Sequence, residues 1–116
     1  MNKYRDKSDF EINKAVAEKS GRQFSLNSST VFMKADEIPG IVTMSYPFDP
    51  CNDPADAMPI IIENRISIES RFNGHYDEWY ASIQTNKILI DATGTNYYRT
   101  AMEVFLMMKE AESEKV

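Results

Sequence analysis

The sequence predicts an α+β fold: a three-stranded antiparallel sheet packed with an N-terminal, a central and a C-terminal helix as an α-β-α sandwich. Three observations predict it. Ser8-Asp9-Phe10-Glu11 is a capping box that opens a helix. Asn73-Gly74 separates two stretches of alternating apolar residues, which is a hairpin signal. The run from Val104 to Met108 is apolar around most of a helical circumference, as in a helix buried on more than one side. At 116 residues the chain suits a single domain, residues 1–116, around one core.

The first helix is expected over about Asp9 to Ser20. The Ser8 hydroxyl accepts from the Glu11 amide while Glu11 reaches back, Ile12, Ala15 and Val16 repeat at helical spacing, and Gly21 supplies a left-handed cap. Residues 22–46 are harder to place. Thr30 to Met33 and Ile41 to Tyr46 have strand composition, with Pro39-Gly40 as a turn between them. They either extend the sheet as an irregular edge hairpin or stay unpaired, and the residues leave both open.

The second helix starts at Asp53, a natural N-cap, followed by Pro54 in the first turn and Asp56 near the positive helix end. Pro59 lies beyond that turn, where it removes an amide donor, so the helix should be short, bent or tightened before it ends near Glu63-Asn64. In Arg65 to Glu69 the next strand alternates, with Ile66 and Ile68 on one face. Taking Asn73-Gly74 as the two-residue turn sets Phe72 opposite His75, Ile68 opposite Trp79 and Ile66 opposite Ala81. Ile83 continues that apolar face, and Glu69 meets Glu78 as a like-charge pair. Residues 87–90 make a third strand after a turn near Thr85-Asn86. Thr95 or Asn96 then caps a last helix over about Tyr97 to Glu112. Its apolar residues exceed what one sheet covers, so the other side is expected to meet either the first helix or another subunit, the latter as a homodimer through Met102, Phe105 and Met108.

Composition bounds the function. The longest apolar runs fall far short of the ~20 residues of a membrane span, and the basic N-terminus lacks the apolar core of a signal peptide. One cysteine suits a reducing cytoplasm and excludes an internal disulfide framework. The net charge is −5, and residues 36–78 hold nine acidic side chains against Arg65 and Arg71. That segment opposes a nucleic-acid groove, whereas a basic protein partner or plain solubility fits it.

No segment discloses a reaction. Cys51 precedes a helix N-terminus, where a thiol pKa can fall, but His75, the lone histidine, belongs to the hairpin tip. An unreactive, packed Cys51 is the expectation. Asp49, Asn52, Asp53 and Asp56 invite a metal reading, yet Cys51, Pro54 and Ile60 stand where a calcium loop needs carboxylates, glycine and glutamate. Capping and turn chemistry explain these residues. Gly94, without a following lysine, is a poor phosphate loop. Tyr76 and Tyr80 fall on the sheet face opposite Trp79 and are candidates for a protein interface. The binding candidates are therefore Asp49, Cys51, Asn52, Asp53, Asp56, Tyr76 and Tyr80, with no catalytic set, metal or cofactor.

Three blocks, Ser8 to Ala17, Phe48 to Ile68 and Ala101 to Met108, resemble in order the opening, the central signature and the closing helix of the NinX family of lambdoid phages. The central block carries Asp-Pro-Cys-Asn-Asp-Pro-Ala-Asp-Ala-Met-Pro-Ile-Ile-Ile-Glu-Asn. The chain departs at Met58, where family members often have tryptophan, and at Thr95 to Tyr98, where an asparagine-proline helix start is common. The resemblance implies a phage or prophage protein of the bacterial cytoplasm, related to small α-β-α sandwich domains, and brings no activity, catalytic residue or cofactor. The expectation is a non-catalytic accessory protein that binds a host or phage protein. The alternative is a small-molecule or nucleotide binder, or minor enzyme, using the loop and helix start from Cys51 to Asp56.

Overall fold

A computed structural model describes residues 2–35 and 44–113. Helix α1 spans Asp9–Ser20 with both halves of the capping box formed: Glu11 N–H donates to Ser8 Oγ (3.1 Å) and Ser8 N–H to Glu11 Oε1 (3.3 Å). Gly21, at φ 75°, ends it in the left-handed conformation that glycine adopts without steric cost.

Strands β1 (Phe24–Asn27), β2 (Thr30–Lys34) and β3 (Ser45–Pro47) form one antiparallel sheet in that order. The hairpin turns at Ser28-Ser29, with Ser28 at φ 55°. Serine pairs carry little turn signal, so this first strand pair was not legible. The expected Pro39-Gly40 turn and the start of the strand from Ile41 lie outside the described residues. Pro47 is tolerated because β3 is an edge strand. The hairpin does not extend the main sheet but builds its own, closed against α1 by the buried Val31 and Met33.

Helix α2 (Pro54–Glu63) is capped by Asp53, which accepts from Ala55 N–H at 2.9 Å, and it runs through Pro59 for ten residues. Its end is a Schellman motif: Ile66 N–H reaches Ile61 O (3.0 Å) and Arg65 N–H reaches Ile62 O (3.2 Å). The left-handed position is held by Arg65 at φ 55°, where glycine is usual. Arg65 therefore closes the helix instead of opening the next strand.

Strands β4 (Ser67–Phe72), β5 (Asp77–Gln84) and β6 (Leu89–Gly94) form the second antiparallel sheet. The expected register is corrected by two residues: Ile68 pairs with Ala81, Ser70 with Trp79 and Phe72 with Asp77. The turn is centred on Gly74-His75, one residue later than expected, because Asn73 works as a flanking cap. Its Oδ1 accepts from His75 N–H (2.9 Å) and Tyr76 N–H (3.0 Å), and its own N–H donates to Tyr76 O. A two-residue shift preserves which face each side chain takes. It also removes the Glu69–Glu78 repulsion, since Arg71 now faces Glu78. Strand β6 begins later and runs four residues further than expected, to Gly94.

Helix α3 (Tyr97–Ser113) is capped by Asn96, whose Oδ1 accepts from Tyr98 and Arg99 N–H. One side lies on β5 and β6, where the Trp79 and Tyr97 rings meet edge to face at 5.0 Å; α1 and α2 pack against α3 as well. Met102, Phe105 and Met108 are thereby buried (0, 5 and 6 % exposed). The apolar face expected to meet the first helix or to serve a homodimer is consumed within the chain, because two helices and a sheet share it.

Two substitutions should move stability in opposite directions. A Cβ at Gly94 would sit 2.5 Å from Thr100 Oγ1, which is buried and donates to Asn96 O. Gly94→Ala should therefore cost about 2 kcal/mol. Arg65→Gly removes a left-handed L-residue from an exposed position and should stabilise by about 0.5–1 kcal/mol. Denaturant melts check both; equal signs would contradict the backbone geometry.

Candidate functional site

Residues 49–53, between β3 and α2, sit where the N-terminal ends of all three helices converge. Asp9 belongs to the first turn of α1, Asp53 caps α2 and Asn96 caps α3. Asn52 joins them: its Nδ2 donates to Asp9 Oδ2 (3.1 Å) and to Asp49 Oδ1 (3.1 Å), and its Oδ1 accepts from Asn96 Nδ2 (3.2 Å). Helix N-termini carry partial positive charge, so the carboxylates gathered here are balanced by helix ends as well as by side chains.

Asn13, buried on α1, holds the loop from beneath. Its Nδ2 donates to Asp49 Oδ1 at 2.8 Å and its Oδ1 accepts from Cys51 N–H at 3.1 Å. The Asp56 carboxylate accepts from Asp49 N–H at 2.9 Å. Burial pushes the Asp56 carboxyl up, against that hydrogen bond and with the Asp53 and Asp49 charges. Cys51 is fully buried, with Sγ against Asp9 O, and burial followed by the Asp9 charge pushes its thiol well above the ordinary range. A dipole-activated thiolate is therefore not what this helix start produces; desolvation outweighs the helix end.

The network continues into Arg99, which the sequence reading did not single out. Its Nη1 meets Asp9 Oδ1 at 2.6 Å, its Nε meets Glu103 Oε2 at 2.9 Å, and its remaining nitrogen donates to the carbonyls of Tyr4, Arg5 and Lys7. Glu103, almost fully buried, also accepts from Asn2 Nδ2 at 2.6 Å. A signal was present: Arg99 and Glu103 are spaced i,i+4, and an acidic residue inside an otherwise apolar helix needs a partner. Asn13 left a fainter one, as a polar side chain beside Ile12.

The structure thus brings Asp49, Cys51, Asn52, Asp53 and Asp56 together with Asp9, Asn13, Asn96 and Arg99. Neither Tyr76 nor Tyr80 is hydrogen-bonded into that network. Tyr76 is exposed in the hairpin turn and helps line a small cavity of about 210 Å³ with Asn96 and Arg99. Tyr80 lies on the sheet face turned away from α3, where its hydroxyl donates to Asp91 (2.8 Å) and the Arg71 guanidinium stacks 3.5 Å from its ring centre. His75 is exposed on the turn, where its N–H donates to Asn73 Oδ1, whereas Cys51 is buried. Among the described residues no group of three His, Cys, Asp or Glu side chains is arranged to hold a metal.

Arg99→Met should cost about 3 kcal/mol, since it leaves the buried Glu103 carboxylate with Asn2 alone. The loss should depend on pH. Burial raises the Asp9 pKa, but hydrogen bonds from Arg99 and Asn52 and the Arg99 charge bring it below the ordinary value. A carboxyl lowered by folding adds stability above its unfolded pKa of about 4, and that contribution fades as pH falls through the lowered value. Melts of both proteins from pH 7 to pH 2.5 should show the gap narrowing below pH 4. A gap that widens there would contradict the pairing.

No curated protein matches the chain. The family model described as NinX of bacteriophage P22 matches residues 3–109, which takes in every strand and helix up to the last turn of α3. On that match the chain belongs to the phage NinX family.

Proposed function

We propose that this phage protein is a non-catalytic accessory protein that works in the host cytoplasm by binding a host or phage protein. The observation that carries the reading is the contrast between its two polar regions. The loop from Asp49 to Asp56 spends its side chains on capping, on Asn13 and on neighbouring helix starts, and its thiol is closed off. The β4–β5–β6 sheet instead turns one whole face to solvent, carrying Glu69, Arg71, Tyr80 and Asp91, with Phe72, Tyr76, Ile88 and Leu89 exposed at its ends. Mixed charge, tyrosine and isolated apolar side chains suit a protein interface. No described helix is long and apolar enough to cross a membrane.

A second reading has its own observation. A cavity of about 420 Å³ between α1, α2 and α3 reaches Ala55 and Asp56 over an apolar floor of Val16, Met33, Phe48 and Phe105. That volume is within the range of small-molecule sites, so a small metabolite would sit here more readily than over Cys51.

One experiment separates the two. Tagged protein crosslinked in phage-infected cells should recover one host or phage protein at near-equal stoichiometry. Recovery of none, together with a metabolite raising the melting point by several degrees, would favour the cavity.

A further inference from the structure

The β4–β5–β6 sheet ends in a strand whose outer hydrogen-bonding groups are open. The bonds Thr85 N–H to Ile88 O and Asn73 N–H to Tyr76 O fix the alternation along both ladders. With Ile83 paired to Ile90 and Ala81 to Ala92, the even-numbered residues of β6 bond to β5, so Leu89, Asp91 and Thr93 turn their N–H and C=O groups outward. Among the described residues no strand lies beyond β6. Such a row is a template for another strand.

The edge borders a groove of about 580 Å³, lined without interruption by residues 88–93 and by parts of the N-terminal segment and of α3, including Arg5, Met107 and Ala111. Ile88 and Leu89 are about half exposed at one end. Charge decides what fits. Two copies meeting edge to edge by two-fold symmetry, in the register that uses the whole strand, would pair Leu89 with Thr93 and set Asp91 against Asp91. Like charges directly opposite disfavour that arrangement. A foreign strand carrying a cation directly opposite Asp91 gains instead; Lys3 and Arg5 line the same groove with Asp91 and Glu110, so the preference is confined to that position. At the other end, Arg5 borders the cavity that holds Thr93 and Gly94 together with Glu78 and Glu103, so charge selects no residue opposite Thr93.

Resting on the reading of this protein as a binder of another protein, the geometry points to β6 as a docking edge that takes an extended segment of the partner as a fourth, antiparallel strand. The segment carries Lys or Arg opposite Asp91 and an apolar residue opposite Leu89, two positions apart. Backbone hydrogen bonds hold it, and the alternate side chains select it.

The probe is the peptide acetyl-Ser-Glu-Val-Lys-Val-Leu-Ser-amide, titrated into the isotope-labelled full chain. Amide exchange at Leu89, Asp91 and Thr93 should slow by about tenfold at saturation, with Ile68, Ser70 and Phe72 on the β4 edge unchanged. A peptide with Glu in place of Lys should bind at least about fivefold more weakly, and Asp91→Lys should reverse that preference. Thr93→Pro removes an outward N–H that serves no ladder bond, so it should weaken binding by about tenfold with the sheet intact. Should that variant misfold, the charge reversal at Asp91 still decides. The idea is overturned by unchanged exchange at millimolar peptide, by protection centred on β4, or by indifference to the Lys–Glu swap. A dimer in sedimentation with these three amides protected before peptide is added would assign the edge to a second copy and also overturn it. A cellular partner recovered equally by wild type and Asp91→Lys would leave the protein-binding reading standing and remove β6 as its site.

Discussion

The fold depends on one partly buried cation. Arg99, at the start of α3, meets Asp9 of α1, Glu103 one turn along its own helix, and three consecutive-region carbonyls of the N-terminal segment. Taken alone, burying a guanidinium and a carboxylate costs desolvation free energy, and such a pair adds little net stability. What it adds is direction. Five acceptors converge on one planar, forked donor, so α1, α3 and the chain before α1 have one mutual arrangement that satisfies them all. Glu103 in turn ties down Asn2.

From that knot the polar loop follows. Asp9 is shared between Arg99 and Asn52, Asn52 reaches Asp49 and Asn96, and Asn13 supports Asp49 and the Cys51 amide from the core side. A cluster of acidic and amide side chains that looks like chemistry in the sequence is a brace joining three helix starts. Its position at three positive helix ends accounts for Asp49, Asp53 and Asp56. On the β4–β5–β6 sheet, by contrast, strand pairing and not helix capping sets the geometry of the exposed polar groups.

Much of the fold was legible because the cues were local. Ser8 with Glu11, Gly21, Asp53 with Pro54, and Asn96 each mark a helix end through bonds spanning a few residues. The four-residue hairpin region was located but its register was off by two, since Asn73 could serve either inside the turn or beside it and only its side-chain bonds to His75 and Tyr76 distinguish the roles. The Ser28-Ser29 hairpin carried too little turn signal. Arg65 was assigned to a strand because nothing local marks an arginine for the left-handed position of a helix stop. At the candidate site, the loop residues stood out by composition, whereas Arg99 and Asn13 act through partners 90 and 36 residues away.

By itself, then, the sequence determined the helix boundaries, the α+β class and the inward face of β4 and β5, because capping and side-chain alternation are satisfied within one turn or one strand. Tertiary structure decided three other matters: that Met102, Phe105 and Met108 are covered from within, that the Cys51 thiol is desolvated instead of activated, and that among the described residues no strand lies beyond β6. Each of these depends on which distant surfaces meet. Short-range bonding has no means of specifying that; the packing of the helices against one another and against the sheet does.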